Sequence, residues 1–478
     1  MRLFPLPARP ALAARTTAAS VCVPLGALAA AFAFAGALSY STKLGLVVLL
    51  GMCFIPLALW RLPLAICVWT VLVFLASTSS IGAYTNRVLL FIGLCWIGLL
   101  VGRRAKVRGT VADNYALIAL VAIFLSWLLL SLAWAPAPGT VGPEVKLLLY
   151  GGFSLLLLLG AIAERRHVRW LALAFVAGAS ASVLWGAAKG GLALSTGVAS
   201  EVADSGGRFQ GGAGDPNYLA AVLVPAIMLA GGLAVRRAPG QRALLALATV
   251  IIAVGLAATQ SRGGLLAASV CAVVAFVIWR ERRALIAALV ALTGAATATY
   301  FLLRPSAWSR ILESNQGSGR LDIWTIAWRI IHDHPFVGVG FGQFPQVSPH
   351  YVLQPGALNY IGLIVENQIV VHNLYLALWV EGGIVGLLLF LGVVVSSLVC
   401  GWRAARGFDA QGDIEMASLA RAAFLALVGL LVASFFLSDL DNAALWILLA
   451  LGPILAALAE RQARASPSTQ LLPSPSLD

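Results

Sequence analysis

Apolar runs of about 17 to 25 residues follow one another along most of this chain, and a helix of that length crosses a hydrocarbon core about 30 Å thick. Fourteen such runs can be marked: 21–39, 44–60, 62–77, 88–102, 115–134, 147–163, 168–188, 217–235, 243–259, 263–279, 284–303, 382–400, 421–437 and 443–459. With 60% hydrophobic and 11% charged residues among 478, and a mean hydropathy of +0.93, the chain is too apolar for a soluble domain. The expectation is an all-α polytopic membrane protein with about 12 to 14 transmembrane helices. The lower count applies if the short runs 62–77 and 88–102 form a re-entrant pair, and the orientation of everything downstream is unchanged.

Charge fixes the expected orientation. The net charge is +13, which on its own suggests a nucleic-acid partner. With the N-terminus inside, however, alternate connections hold 22 of the 32 Lys and Arg and 8 of the 19 Asp and Glu. The inner side then carries the whole positive excess, as the positive-inside rule requires. Nothing is left for a nucleic-acid partner to explain, and both termini are expected in the cytoplasm.

This orientation divides the chain into a cytoplasmic segment (1–20), a first membrane part (21–303), a large outer loop (304–372), a second membrane part (373–460) and a Ser- and Pro-rich tail (461–478) expected to be disordered. The N-terminal pattern mimics a signal peptide, but a retained first helix preserves the alternation. The six cysteines, Cys22, Cys53, Cys67, Cys95, Cys271 and Cys400, sit in or beside apolar runs and read as small core residues. In the outer loop, "GSGRLDIWTIAWRIIHDHP" places Leu321, Trp324, Ala327, Trp328 and Ile331 at helical spacing. Ser318 is the expected cap and Pro335 the stop, giving an amphipathic helix on the membrane face or on the bundle. The glycines of the following "FVGVGFGQF" lack the strand, helix and acidic partner of a dinucleotide loop.

The central part of every run lacks ionisable residues, which counts against an ion-coupled transporter or a flippase with a polar path. Ionisable groups gather instead on the outer side of the later half: Arg208, Arg262, Arg304, Arg310, Arg320 and Arg329, with His332, His334, His350 and His372. Guanidinium groups stay charged and grip phosphate at two points. Arg262 lies in a hairpin of a few residues before Gly263 and Gly264. The plain alternative there is an arginine that snorkels to anchor the hairpin. Arg320 opens the amphipathic helix, where backbone N–H groups already favour an anion and a lone cation is unfavourable; the alternative is a surface bystander. His372, directly before a crossing, is placed to accept a hydroxyl proton or to serve as a hydrogen-bonded structural residue. Residues two apart on a helix point in different directions, so "HDH" at His332–His334 is a poor metal pair. Asp215 and Asn217 in "GDPNYLA" read as a turn and helix cap. Glu381 in "EGG" is placed to contact a substrate or an arginine.

In this order, "RFQGGAGDPNYLAA", "TQSRGGLLAA", "GSGRLDIWTIAWRIIHDHPFVGVGFGQF" and "HNLYLALWVEGGIVGLLLF" resemble the O-antigen ligase and polymerase superfamily of bacterial envelope glycosyltransferases. The resemblance covers roughly Arg208 to Phe390, and the N-terminal third has no motif to align. It implies a multi-pass inner-membrane enzyme whose site faces the periplasm. The implied donor is an undecaprenyl-diphosphate-linked glycan and the acceptor a sugar hydroxyl, on lipid A-core, on a growing polysaccharide or on a protein. No cofactor or metal is implied. Carried over by motif, Arg262 and Arg320 are implied to hold the diphosphate, with Arg208 as a further donor-side arginine. His372 is implied to activate the acceptor, and Asn217 and Glu381 are supporting candidates. A ligase is the first expectation, and a polysaccharide polymerase of the same superfamily the second. A lipid-linked glycan flippase or other transporter is the alternative of a different class.

Overall fold

The computed structural model describes residues 42–75, 82–102, 109–190, 208–303, 319–354, 358 and 369–465. The chain divides into two compact units, Met1–Ala65 and Ile66–Asp478. The first holds α1 (Thr42–Trp60) and the opening of α2 (Leu62–Val73). The second holds α3 (Gly82–Val101), α4 (Tyr115–Leu130), α5 (Gly142–Ala161), α6 (Arg165–Gly190), α7 (Pro216–Leu233), α8 (Pro239–Ala258), α9 (Arg262–Ile278) and α10 (Arg283–Leu303). It continues with α11 (Arg320–Asp333), α12 (Phe344–Val347), α13 (Leu374–Ala410), α14 (Ile414–Ala433) and α15 (Ala443–Ala465). No strand occurs among the described residues.

Every apolar run from residue 44 onward falls on a helix; run 21–39 and residues 466–478 lie outside the described residues. Ten helices are long and apolar enough to cross a membrane among the described residues. They include α3, which has the length for a full crossing, whereas the 12 residues of α2 do not. The protein is therefore an all-helical polytopic membrane protein.

Within the second unit, α7 packs against α14, α8, α6 and α9, while α15 packs against α13 and α5. α7 and α15 are buried on nearly every side. The helices begin where short polar side chains satisfy the free N–H groups of the first turn. Asp215 accepts from Asn217 N and Tyr218 N at 2.8 Å ahead of α7. Ser261 accepts from Gly264 N ahead of α9. Asn373 accepts from Tyr375 N at 3.0 Å and Leu376 N at 3.1 Å ahead of α13.

The outer-loop helix is present, with two differences from the sequence expectation. Its N-cap is Gly319, in the left-handed conformation and without a side-chain cap; Ser318 lies outside the described residues. Its inward stripe is Ile323, Ile326, Ala327, Ile330 and Ile331, packed with Val371, Ala377 and Val380. Leu321 and Trp328, expected on that stripe, are 58% and 51% exposed. The isoleucines won the inner face because α11 docks on α13, so the helix lies on the bundle.

The glycine-rich segment after α11 is a structural clasp. Helix α13 is interrupted at Gly383 (φ 66°, ψ −176°), a conformation essentially reserved for glycine. An interrupted helix leaves backbone groups that must find other partners. Here Val339 N donates to Val380 O at 2.9 Å, Gly340 N to Glu381 O at 3.0 Å and Ile384 N to Pro335 O at 2.9 Å. Indole donors complete the set: Trp127 Nε1 to Gly382 O at 2.7 Å, Trp134 Nε1 to Gly338 O at 3.2 Å and Trp379 Nε1 to Pro335 O at 3.1 Å. A Cβ on Gly383 would lie 2.0 Å from Phe336 O. Gly383→Ala is therefore expected to lower the melting temperature, with roughly 1–3 kcal/mol of backbone strain before the clash is counted. Gly98→Ala, with nothing within 4 Å of the new Cβ, should not lower it. Thermal unfolding of both purified variants checks the pair, and an unshifted Gly383→Ala would show that the clasp is not rigid.

Candidate active site

The loop before α7 ties the start of α7 to the turn between α8 and α9. Arg208 donates through Nε to Thr259 O at 2.9 Å and through Nη2 to Asn217 Oδ1 at 2.7 Å. Phe209 N donates to Ala258 O at 3.2 Å. One arginine thus joins the end of α8 to the first turn of α7. The chain then reverses through Gln260, which is left-handed at φ 51°, and Arg262 becomes the first residue of α9. Its side chain is exposed. A Cβ on Gly264 would lie 2.6 Å from Ala220 Cβ, so glycine is what lets this turn press against α7.

The second half of the site comes from α11 and the residue before the α13 cap. Trp324 donates its indole N–H to Val371 O at 3.1 Å, which pins α11 beside His372. His372 is left-handed at φ 53°, an uncommon state for a residue with a side chain and one that gathers at functional sites.

Arg320, His372 and Asp215 form one electrostatic group. Burial pushes the His372 imidazole below its ordinary pKa, the Arg320 charge pushes it down further, and Asp215 opposes both. Burial also lowers Arg320, against the pull of Asp215. The guanidinium keeps its charge regardless, and the imidazole is neutral near pH 7. Asp215 is therefore more than the cap expected from its sequence. It caps α7 with one oxygen and its negative charge also acts on the arginine and the histidine.

Of the residues singled out from sequence, Arg208 bonds Asn217, and Arg320 and His372 lie within electrostatic reach of each other and of Asp215. Arg262 stands three residues beyond Thr259, whose carbonyl Arg208 holds. Glu381 sits in the clasp, accepting from Phe344 N at 3.4 Å. His332 contacts Asp333 at 3.2 Å and its side chain is 90% exposed. Among the described residues no three of His, Cys, Asp and Glu are grouped to hold a metal.

Sequence reading passed over the connection between α14 and α15, "SDLDN". Asp439 is fully buried, accepts from Ser434 Oγ at 3.2 Å and is pushed up to about 7 by burial. Asp441 lies where two cavities meet. One, of about 140 Å³, is lined by Glu144, Glu381, Ser438 and Asp441 and reaches Val371 and Leu374, on either side of His372 in sequence. The other, of about 310 Å³, is lined by Asn86, Tyr218, Asp441 and Asn442, next to the Asp215 turn. Two aspartates in a very short link between apolar runs were the available signal.

Arg320 and Asp215 thus act on the His372 imidazole, and the residues on either side of it in sequence border a cavity that also holds Glu144, Glu381 and Asp441. Residues 247–391, from within α8 to within α13, match the family model described as O-Antigen ligase. No curated protein matches the chain. That match takes in Arg262, Arg320 and His372, and over this stretch the membrane protein is similar to the O-antigen ligase family.

Proposed function

We propose that this protein transfers a glycan from a lipid diphosphate, of the undecaprenyl type, to an acceptor sugar hydroxyl, in the manner of an O-antigen ligase. The observation that carries the reading is the electrostatic group of Arg320, His372 and Asp215, inside the stretch that matches the family for two of its three members. The reaction would run at the periplasmic face of the bacterial inner membrane, the orientation that the distribution of Arg and Lys favours.

The chemistry follows from this grouping of charges. His372 Nδ1 or Nε2 takes the proton of the acceptor hydroxyl as its oxygen attacks the anomeric carbon. The bond from that carbon to the phosphate oxygen breaks, and the lipid diphosphate leaves with the electron pair. A single displacement inverts the sugar carbon. Charge develops on the leaving phosphate, where Arg320, Arg262 and Arg208 stabilise the transition state more than the ground state, with no metal in the step. Arg208 is held by Thr259 and Asn217, so its position is set before substrate arrives. The acceptor would lie in the cavities bordered by Asp441, whose carboxylates and amides suit sugar hydroxyls. Those carboxylates favour an uncharged sugar chain over a phosphate-bearing core, which keeps a polysaccharide polymerase as the second reading.

The deciding test is transfer by the purified protein from a defined undecaprenyl-diphosphate glycan to lipid A-core and to neutral oligosaccharides, with and without a chelator. Transfer to neither acceptor by a folded protein would overturn the proposal. His372→Ala is expected to reduce turnover by roughly 10²- to 10⁴-fold, the usual contribution of a general base, with unchanged amounts in the membrane. Full activity would remove His372 from the mechanism.

The pH profile tests the electrostatic group separately. The neutral imidazole is the active form, so activity should rise with pH through the His372 pKa, on a limb below pH 6.5. Arg320→Gln removes a charge that holds this pKa down and should move the limb to higher pH in the residual activity. Asp215→Asn removes a charge that holds it up, keeps a capping oxygen, and should move the limb to lower pH. Shifts of the opposite sign would show that His372 is not the titrating group.

A further inference from the structure

At the other end of α7, about 27 Å away by helical rise over 18 residues, arginines are numerous and most are paired. Arg165 bonds Asp413, Arg169 and Arg237 share Glu415 at 2.9 and 2.8 Å, Arg421 bonds Asp409, and Arg461 bonds Asp113 at 2.5 Å. Arg236, Arg242 and Arg282 are different. None of their side chains makes a hydrogen bond or ion pair with a described residue, yet all three line one cavity of about 500 Å³ between α7, α8 and α10.

The rest of that cavity is apolar, walled by residues such as Ala230, Leu245, Ala246, Leu285, Leu289 and Leu292. Its flanking helices turn further apolar side chains outward, with Leu244, Leu247 and Val290 at 68%, 57% and 47% exposure, as helices facing lipid do. Arg242 also lies in the first turn of α8, which has no side-chain cap. A cation there opposes the partial positive charge of the helix start unless an anion joins it. Arg236 is held left-handed at φ 55°. Topological bias alone accounts for arginines at this end, but not for the gathering of three without carboxylate partners around one apolar cavity.

We infer that this cavity binds an anionic phospholipid, its phosphate held by Arg236, Arg242 and Arg282 and an acyl chain lying between α8 and α10. The occupant follows from complementarity. Three cations favour an anion, and an apolar interior flanked by outward-facing apolar side chains favours a hydrocarbon chain on the same molecule. The site is separate from the one proposed for catalysis.

The experiment measures thermal stability and native-mass-spectrometric lipid retention of the full chain in detergent. The probes are phosphatidylglycerol, phosphatidylcholine and inorganic phosphate. Phosphatidylglycerol is expected to stabilise and be retained; the other two are not. Each arginine removed, as Arg236→Gln, Arg242→Gln or Arg282→Gln, should weaken retention roughly fivefold, the equivalent of one basic residue near an anionic lipid surface. The triple variant should lose the effect while keeping its melting temperature in phosphatidylcholine. Arg403→Gln, at an arginine paired with Glu460, should retain the lipid normally. Equal stabilisation by phosphatidylcholine would overturn the anionic preference. An equal effect of inorganic phosphate would reassign the site to a free anion. Unchanged retention in the single variants, which decide the matter if the triple variant does not fold, would overturn the site itself.

Discussion

Everything at the proposed active end depends on satisfying backbone hydrogen bonds where α13 is broken. Inside or beside a bilayer, an unpaired N–H or C=O costs several kcal/mol, so irregular backbone persists there only when protein supplies partners. The interruption at Gly383 is met by the Pro335–Gly340 segment of the clasp and by the Trp127 indole, while the Trp134 and Trp379 indoles hold the clasp itself. That clasp fixes the end of α11, the isoleucine face of α11 fixes its roll on α13, and the roll brings Arg320 beside His372. The placement of Arg320 and His372 is thus a downstream result of hydrogen-bond accounting several residues away.

Charge is distributed on the same economical principle. At one end, many arginines are neutralised by carboxylates, and three that are not line one cavity. At the other, arginines are held by neutral oxygens, as Arg208 is by Thr259 and Asn217, while Asp215 balances Arg320 and His372 together. A guanidinium oriented by carbonyl and amide oxygens keeps its full charge available to a phosphate. One locked against a carboxylate has already spent most of it.

Much of this was legible in the sequence, and the parts that were not share a cause. Apolar runs marked the helices because lipid leaves the backbone few alternatives. Asp215 marked a helix start because capping is local chemistry. Arg320 and His372 stood out as charges placed against the topological bias. The inner face of α11 was misjudged because Leu321 and Trp328 fit helical spacing as well as the isoleucines do; only the partner, α13, chooses between them. "FVGVGFGQF" read as featureless because its meaning lies in a helix break some forty residues later. Asp439 and Asp441 escaped notice because two acidic residues in a short link look like an ordinary hydrophilic turn until α5 and α7 close around them.

The break at Gly383 also has a mechanical side. It separates a nine-residue segment, Leu374–Gly382, from the long remainder of α13. A transmembrane helix adjusts its tilt to the thickness of the surrounding bilayer, and a continuous rod would carry any such tilt straight to His372. With the rod cut and the short piece gripped by tryptophans, changes in bilayer thickness can be absorbed at the joint, leaving the imidazole and its arginine in register.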